Sequence, residues 1–324
     1  MGARGGEGRG ILGAGAAGRK PVIVIAGPTA SGKSDAALAL ARERPIVVVN
    51  ADALQVYRDL AVLSARPDDA ALARAPHRLY GVLDGTETCS AGRWREMALA
   101  EISAARGEDR LPVLVGGTGL YLKGLIEGIA PTPAVPAAIR DDVRRRLARD
   151  GAPALHGELA ALDPAMAARL NRADSQRVAR ALEVRLATGR SLGEFQAEGA
   201  PPPGLAFVVL VLVPPAAVAR PIIAERCRRM LDEGALDEVR ALLARGLDPA
   251  LPVMKAVGVP ELAAHLRGEC DRELALARFV IATQRYAKRQ RTWFRHQLPA
   301  ARQWAAQFSA RIEGEICSFI RETC

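Results

Sequence analysis

The chain has 324 residues, of which 49% are hydrophobic, and carries a formal net charge of +9 at pH 7. That length buries one large core or two ordinary ones, and no apolar run approaches the roughly 18 to 20 residues of a membrane span, which argues against a helical membrane protein and a membrane partner. The basic balance points toward a polyanionic partner, but only the placement of the charge decides.

In chain order, residues 1–20 are rich in Gly, Ala and Arg and end in Arg19-Lys20 without the apolar centre of a secretory signal, so a disordered tail is expected, with an organelle transit peptide as the alternative. Pro21 to Ala26 reads as a strand, then a Gly-rich turn, then an Ala-rich helix over Asp35 to Arg42. Ile46 to Val49 is a second strand, ending in Asn50-Ala51-Asp52. A helix over 92–106 precedes a third strand, Leu111 to Val115, which ends in Gly116-Gly117-Thr118-Gly119. Apolar runs without alternation, separated by helical segments, indicate a parallel sheet covered on both faces. From 131 to 204 the texture changes to helical, Arg-, Ala- and Leu-rich sequence between Pro131, Pro133 and Pro136 and the run Pro201-Pro202-Pro203, so an all-helical insertion domain is expected there. Phe207 to Val213, the longest apolar run, returns as the core's final strand, and Arg220 to Arg295 reads as helical. The core is thus expected in two parts, 21–130 and 205–324. Five cysteines, at 89, 227, 270, 317 and 324, form no C-x-x-C pair and fit a reducing, cytoplasmic setting.

Gly27-Pro28-Thr29-Ala30-Ser31-Gly32-Lys33-Ser34 fits G-x-x-x-x-G-K-S between a strand and a helix, the context a phosphate-binding loop requires. Its backbone N–H groups turn inward around phosphate oxygens, the helix N-terminus adds partial positive charge, Lys33 neutralises, and Ser34 can ligate Mg²⁺. The fold class expected is therefore a P-loop NTPase-like parallel sheet flanked by helices. The loop does not name the reaction. Asn171-Arg172-Ala173-Asp174 is no guanine reader, and no acid closes the strand at Leu111 to Val115. Asp52 is either a general base or a turn residue on position alone.

Several segments together resemble the tRNA dimethylallyltransferase family, also called tRNA isopentenyltransferases. They are Gly27 to Ser34, Asn50-Ala51-Asp52 with Gln55-Val56-Tyr57-Arg58, Pro76-His77-Arg78-Leu79, Val115 to Tyr121, Asp174-Ser175-Gln176-Arg177 with Arg180 to Val184, and Tyr286 to Gln290 with Thr292-Trp293-Phe294. The resemblance, to the bacterial type without a zinc finger, implies transfer of the dimethylallyl group of dimethylallyl pyrophosphate to N6 of the adenine 3′ of the tRNA anticodon, with Mg²⁺ and without a nucleotide cofactor. It implies that Asp52 accepts the amine proton, that Lys33 and Thr118 stabilise the leaving pyrophosphate, and that Gln55, Gln176, Arg177 and Arg180 contact tRNA. It makes 131–204 a tRNA-binding insertion. A monomer is expected.

The chain departs from the family pattern at four places, one of them T-R-x-Y-A-K-R-Q, where Gln284 replaces an Arg. Asp52-Ala53 replaces Asp-Ser. Leu63-Ser64-Ala65-Arg66-Pro67 stands for the usual Gly-Thr-x-Lys-Pro, and Arg is not a neutral exchange for Lys at a phosphate. In the segment Pro215 to Arg226, two arginines of D-R-x-x-L-x-x-R-I-x-x-R are replaced by Ala216 and Ile222.

On a helix of about 3.6 residues per turn, Lys288, Arg291 and Arg295 fall within about 60° of one another. This basic stripe adjoins a face of Arg285, Tyr286, Arg289 and Trp293, which mixes charge with aromatics as single-stranded RNA binding would use. A solvated face, with Trp293 and Phe294 in the core, is the competing reading. Two functional alternatives stay open: a small-molecule kinase on the same loop, and a homologue that binds tRNA with weakened catalysis.

Overall fold

A computed structural model describes residues 11–12, 21–129, 134–298 and 301–323. It divides into two compact units, Met1–Ile126 with Pro203–Cys324, and Glu127–Pro202.

The first unit is built on a sheet of strands β1 (Ile11–Leu12), β2 (Val22–Ala26), β3 (Ile46–Asn50), β4 (His77–Arg78), β5 (Leu111–Gly116), β6 (Phe207–Leu212) and β7 (Arg302–Trp304), interleaved with helices α1 (Lys33–Leu40), α2 (Asp69–Arg74), α3 (Ala91–Gly107) and α4 (Gly119–Ile126). The order is β1-β6-β2-β5-β3-β4, with β7 also pairing β6. Strands β2 to β7 pair in parallel, as the unalternating apolar runs require. Alternate residues of each strand feed two cores. Val22, Val24, Val47, Val49, Leu114, Val209 and Val211 face one layer of helices, while Ile23, Ile25, Ile46, Val48, Val113, Val208 and Leu210 face the other.

Several features differ from the sequence reading. The sheet is not wholly parallel, because Ile11–Leu12 pair antiparallel with Val208 and Phe207; the remainder of the tail expected at 1–20 lies outside the described residues. Nor is Phe207–Leu212 the final strand. Beyond it come β7, too short for any periodicity, and a C-terminal helix, Ala310–Thr323. That helix places Ile312, Ile316, Cys317 and Ile320 on the second core beside Ala36, Ala37 and Leu40 of α1. Without it one sheet face would be only partly covered.

The second unit consists of α5 (Ala137–Leu162), α6 (Pro164–Ala168), α7 (Ser175–Thr188) and α8 (Leu192–Ala197). Helix α5 is two helices joined at Gly151 (φ 78°, ψ 168°), just before Pro153. Val143, Leu155, Leu159, Val178, Leu182 and Phe195 form its own core. The Asp174 carboxylate accepts from the Arg177 N–H (3.1 Å) and so starts α7.

Returning to the first unit, α9 (Ala216–Asp232), α10 (Ala235–Ala244), α11 (Val259–Leu266) and the long α12 (Arg272–Gln297) cover the first core, and the C-terminal helix is α13.

Candidate active site

Strands β3, β5 and β2 lie side by side, and their carboxyl ends are in register: Ala26 pairs with Gly116, and Asn50 with Val115. The segments that follow these strands are the phosphate-loop sequence, Asp52, and Gly117-Thr118. One topological edge therefore gathers three segments that are far apart in the chain, where open α/β sheets take their ligands.

The Asp52 segment is fixed by backbone bonds. Asn50 Oδ1 accepts from the Asp52 N–H (2.8 Å), and Asn50 Nδ2 donates to the carbonyls of Asp52 and Leu79 (3.0 Å each). Asp52 Oδ1 accepts from the Leu54 N–H (3.0 Å), and Thr118 Oγ1 accepts from the Ala53 N–H (2.8 Å). The Thr118 N–H in turn donates to the Ala51 carbonyl (3.2 Å). Asp52 and Thr118 thus sit on two loops that are hydrogen-bonded to each other. Tyr286 of α12 adds a third element, since it lines the same cleft as Asp52; burial, and Asp52 after it, push its phenol above the usual range.

Asp52 and Tyr286 border a cleft that Thr118 does not line; its polar side chains include Thr29, Lys33, Gln55 and Arg226 and its apolar ones Leu54, Leu63, Cys227, Met230, Val257 and Phe279, and its roughly 590 Å³ of empty space includes open solvent. Lys33 Nζ donates to the Pro28 carbonyl (3.4 Å). Burial pushes the Lys33 ammonium down to about 8, with Asp52 opposing the shift and Arg226 adding to it. Burial likewise lowers Arg226. Two cations held beside one carboxylate, each at a desolvation cost, form a site electrostatically suited to a polyanion.

The structure places the other expected residues as follows. Gly27, Pro28, Thr29, Ala30, Ser31 and Gly32 form the turn between β2 and α1, and Ser34 is exposed on the first turn of that helix. Gln55 lines the cleft, yet its amide donates to the carbonyls of Ser64 and Ala65 (2.9 Å each). Gln176 and Arg177 are exposed on α7; Arg177 and Arg180 pair with Asp174 (3.5 Å) and Glu183 (3.6 Å). On α12, Arg285, Lys288, Arg289 and Arg295 are exposed and Arg291 is half-buried. The described ion pairs of α12 lie at its start, where Arg272 meets Asp232 (3.2 Å), and none takes in Lys288, Arg291 or Arg295. Phe294 is in the core and Trp293 packs half-buried against it. A side chain at Gly119 would overlap the Trp293 ring, so α4 can start this close to α12 only with glycine there.

Three site residues escape the sequence reading of the catalytic set. Arg226 is the last arginine of the altered pattern from Pro215 onward, and its survival there was a usable signal. Tyr286 turns into the cleft rather than standing only on the RNA-type face. Buried Gln290 ties the site together: its Oε1 accepts from the Thr29 N–H (2.9 Å) and its Nε2 donates to the Gly117 carbonyl (2.9 Å).

For Mg²⁺, the oxygen donors are the Thr29 hydroxyl and the Asp52 carboxylate in the cleft and, on the adjoining loop, the hydroxyls of exposed Ser34 and of Ser31, the latter buried with no hydrogen-bond partner among the described residues. A hard cation that keeps waters and binds through one carboxylate and substrate phosphates fits this set, which offers no cluster of three acids, His or Cys among the described residues.

Fold and site together define a P-loop-type α/β protein whose phosphate-loop sequence stands beside a carboxylate. The family model for IPP transferase matches residues 55–297, three quarters of the chain, and the protein belongs to that family. It is 55% identical over 287 residues to a tRNA dimethylallyltransferase of Rhodospirillum centenum, covering 88% of this chain and 91% of that one, and 55% identical over 283 residues to its counterpart in Rhodospirillum rubrum, covering 87% of each. Among solved structures it resembles a tRNA isopentenylpyrophosphate transferase from Bacillus halodurans (28% identity, TM-score 0.66, covering 94% of this chain and 98% of that one). It also resembles a eukaryotic dimethylallyltransferase acting on tRNA (26% identity, TM-score 0.75, covering 87% and 72%). No helix among the described residues is long and apolar enough to cross a membrane.

Proposed function

We propose that this protein transfers the dimethylallyl group of dimethylallyl pyrophosphate to N6 of the adenine that follows the anticodon in tRNA. The observation that carries the reading is the joining, in one cleft, of Thr29 and Lys33 of the phosphate loop, Asp52, Tyr286 and a set of apolar side chains, with Tyr286 on the helix that also bears the basic stripe. The pyrophosphate lies against Lys33, Arg226 and the loop amides. Asp52 accepts the proton of the adenine amine as N6 bonds to C1 of the isoprenoid, and the C1–O bond breaks with its electron pair leaving on pyrophosphate. An aromatic amine is a weak nucleophile, so a carboxylate base contributes about 10²- to 10⁴-fold. Lys33, Arg226 and Thr118 stabilise the charge that grows on the leaving group. Ser34 would hold Mg²⁺, which would supply further neutralisation of the leaving group.

The tRNA is assigned to Lys288, Arg291 and Arg295, to Arg285 and Arg289, and, in the helical unit, to Gln176, Arg177 and Arg180. A single chain supplies every residue the reading needs. The test incubates the protein with labelled dimethylallyl pyrophosphate, Mg²⁺ and unmodified tRNA. Label in tRNA, located on the adenine next to the anticodon, is the expected result; no label, with pyrophosphate still bound, would leave a tRNA-binding protein without transferase activity.

A further inference from the structure

We propose that Leu63 sets the length of isoprenoid this protein accepts, closing the cleft behind a five-carbon chain; the inference rests on the function proposed above. The cleft has a direction. Tyr286, Thr283 and Phe279 line it from one face of α12, so Phe279 lies about 10 Å along the helix from the Asp52 end. Arg226 and Met230 repeat the polar-to-apolar step on α9. A pyrophosphate at Lys33 therefore directs its hydrocarbon toward Phe279, Met230, Val257 and Leu63.

Leu63 occupies a position where the family pattern usually has glycine, and the residue is only 8% exposed. A methyl group built on Gly258 would stand 2.7 Å from Leu63 Cδ2 and 2.8 Å from Phe279 Cε2. Leu63, Gly258 and Phe279 thus meet at the apolar end with no spare room between them. Leu63 cannot withdraw readily, because its backbone is held from two sides. The Glu238 carboxylate accepts from the N–H groups of Ala61, Val62 (2.8 Å) and Leu63 (2.9 Å). On the other side the Ser64 hydroxyl donates to the Leu60 carbonyl, and Gln55 grips the carbonyls of Ser64 and Ala65. A clamped wall discriminates by shape where a mobile one would yield. Replacing Leu63 by alanine removes three carbons at the end of the cleft, and flexible Met230 can give further space.

The experiment measures binding of dimethylallyl and geranyl pyrophosphates by calorimetry, with inorganic pyrophosphate as the common reference, and transfer of each to unmodified tRNA by mass. Geranyl transfer follows the same bond changes, N6–C1 formed and C1–O broken. The wild type is expected to favour dimethylallyl, and Leu63→Ala to shift the kcat/KM ratio toward geranyl by tenfold or more, at unchanged affinity for inorganic pyrophosphate. Leu63→Phe should weaken dimethylallyl but not inorganic pyrophosphate binding. If thermal unfolding shows Leu63→Ala too unstable to assay, Leu63→Val should move the ratio in the same direction by less. An unchanged ratio in a folded variant, or a wild type that takes both chains equally, would overturn the gate alone. A wild type that binds neither isoprenoid pyrophosphate would overturn the proposed function and the gate with it.

Discussion

Asp52 and Lys33 face each other across the cleft, and each yields a prediction at the scale of one side chain. Asp52→Asn keeps an oxygen for the Leu54 N–H but removes the base, so turnover should fall about 10²- to 10⁴-fold while affinities for dimethylallyl pyrophosphate and tRNA change little. Single-turnover kinetics beside equilibrium binding would check this, and near-normal turnover would take the base role from Asp52. Lys33 gives a pH dependence. Burial holds the ammonium at about 8, so above that pH the site loses its point charge, and affinity for dimethylallyl pyrophosphate should fall as pH rises through about 8. The limit for one linked proton is about tenfold per pH unit. Lys33→Arg should remove this inflection, which calorimetry from pH 7 to 9.5 would show. The stability effect has its own sign. The unfolded chain keeps this proton up to about 10.5 and the folded chain only to about 8, so this group makes stability rise with pH across that window.

At the scale of elements, α12 organises the site through Gln290. Replacing it by leucine strands the Thr29 N–H and the Gly117 carbonyl, each at a cost of roughly 1–3 kcal/mol where water cannot reach. Gln290→Leu should therefore lower the urea midpoint and also weaken pyrophosphate binding, since the phosphate loop loses its tie to the turn after β5. A variant with lowered stability but intact pyrophosphate affinity would confine Gln290 to the fold. This residue also shows what is legible in a sequence. The strands around Val24, Val48 and Val113 announce themselves because burial on both faces demands unbroken apolar runs, and the phosphate loop because its glycines and lysine are adjacent in the chain. Gln290 contacts Thr29 across 261 positions and Gly117 across 173, and a glutamine among arginines carries no local mark of burial. β7 is hidden for a related reason: three residues cannot show a period, and their pairing with β6 is made by the partner strand.

At the scale of the whole molecule the question is where the surplus of positive charge acts. Arg177 and Arg180 have carboxylate neighbours on their own helix, whereas Lys288, Arg291 and Arg295 enter none of the described ion pairs. The stripe on α12 is thus the stronger candidate for phosphate contact, and it lies on the helix that supplies Tyr286 to the cleft and Gln290 to the backbone of the phosphate loop. Each phosphate neutralised releases condensed counterions, so tRNA affinity should fall steeply with salt. Removing one contact should flatten the log–log slope by roughly 0.7 to 0.9, the range from single strands to duplex. Filter binding of tRNA to the wild type and to Lys288→Ala/Arg291→Ala/Arg295→Ala, across a salt series, should show a slope lower by about 2 to 3 for the triple variant. Preference for the modified adenine should persist, because that choice depends on seating an extruded base beside Asp52. A triple variant with the full slope would make the stripe a solvated face, and the phosphate contacts would then have to be sought at Gln176, Arg177 and Arg180.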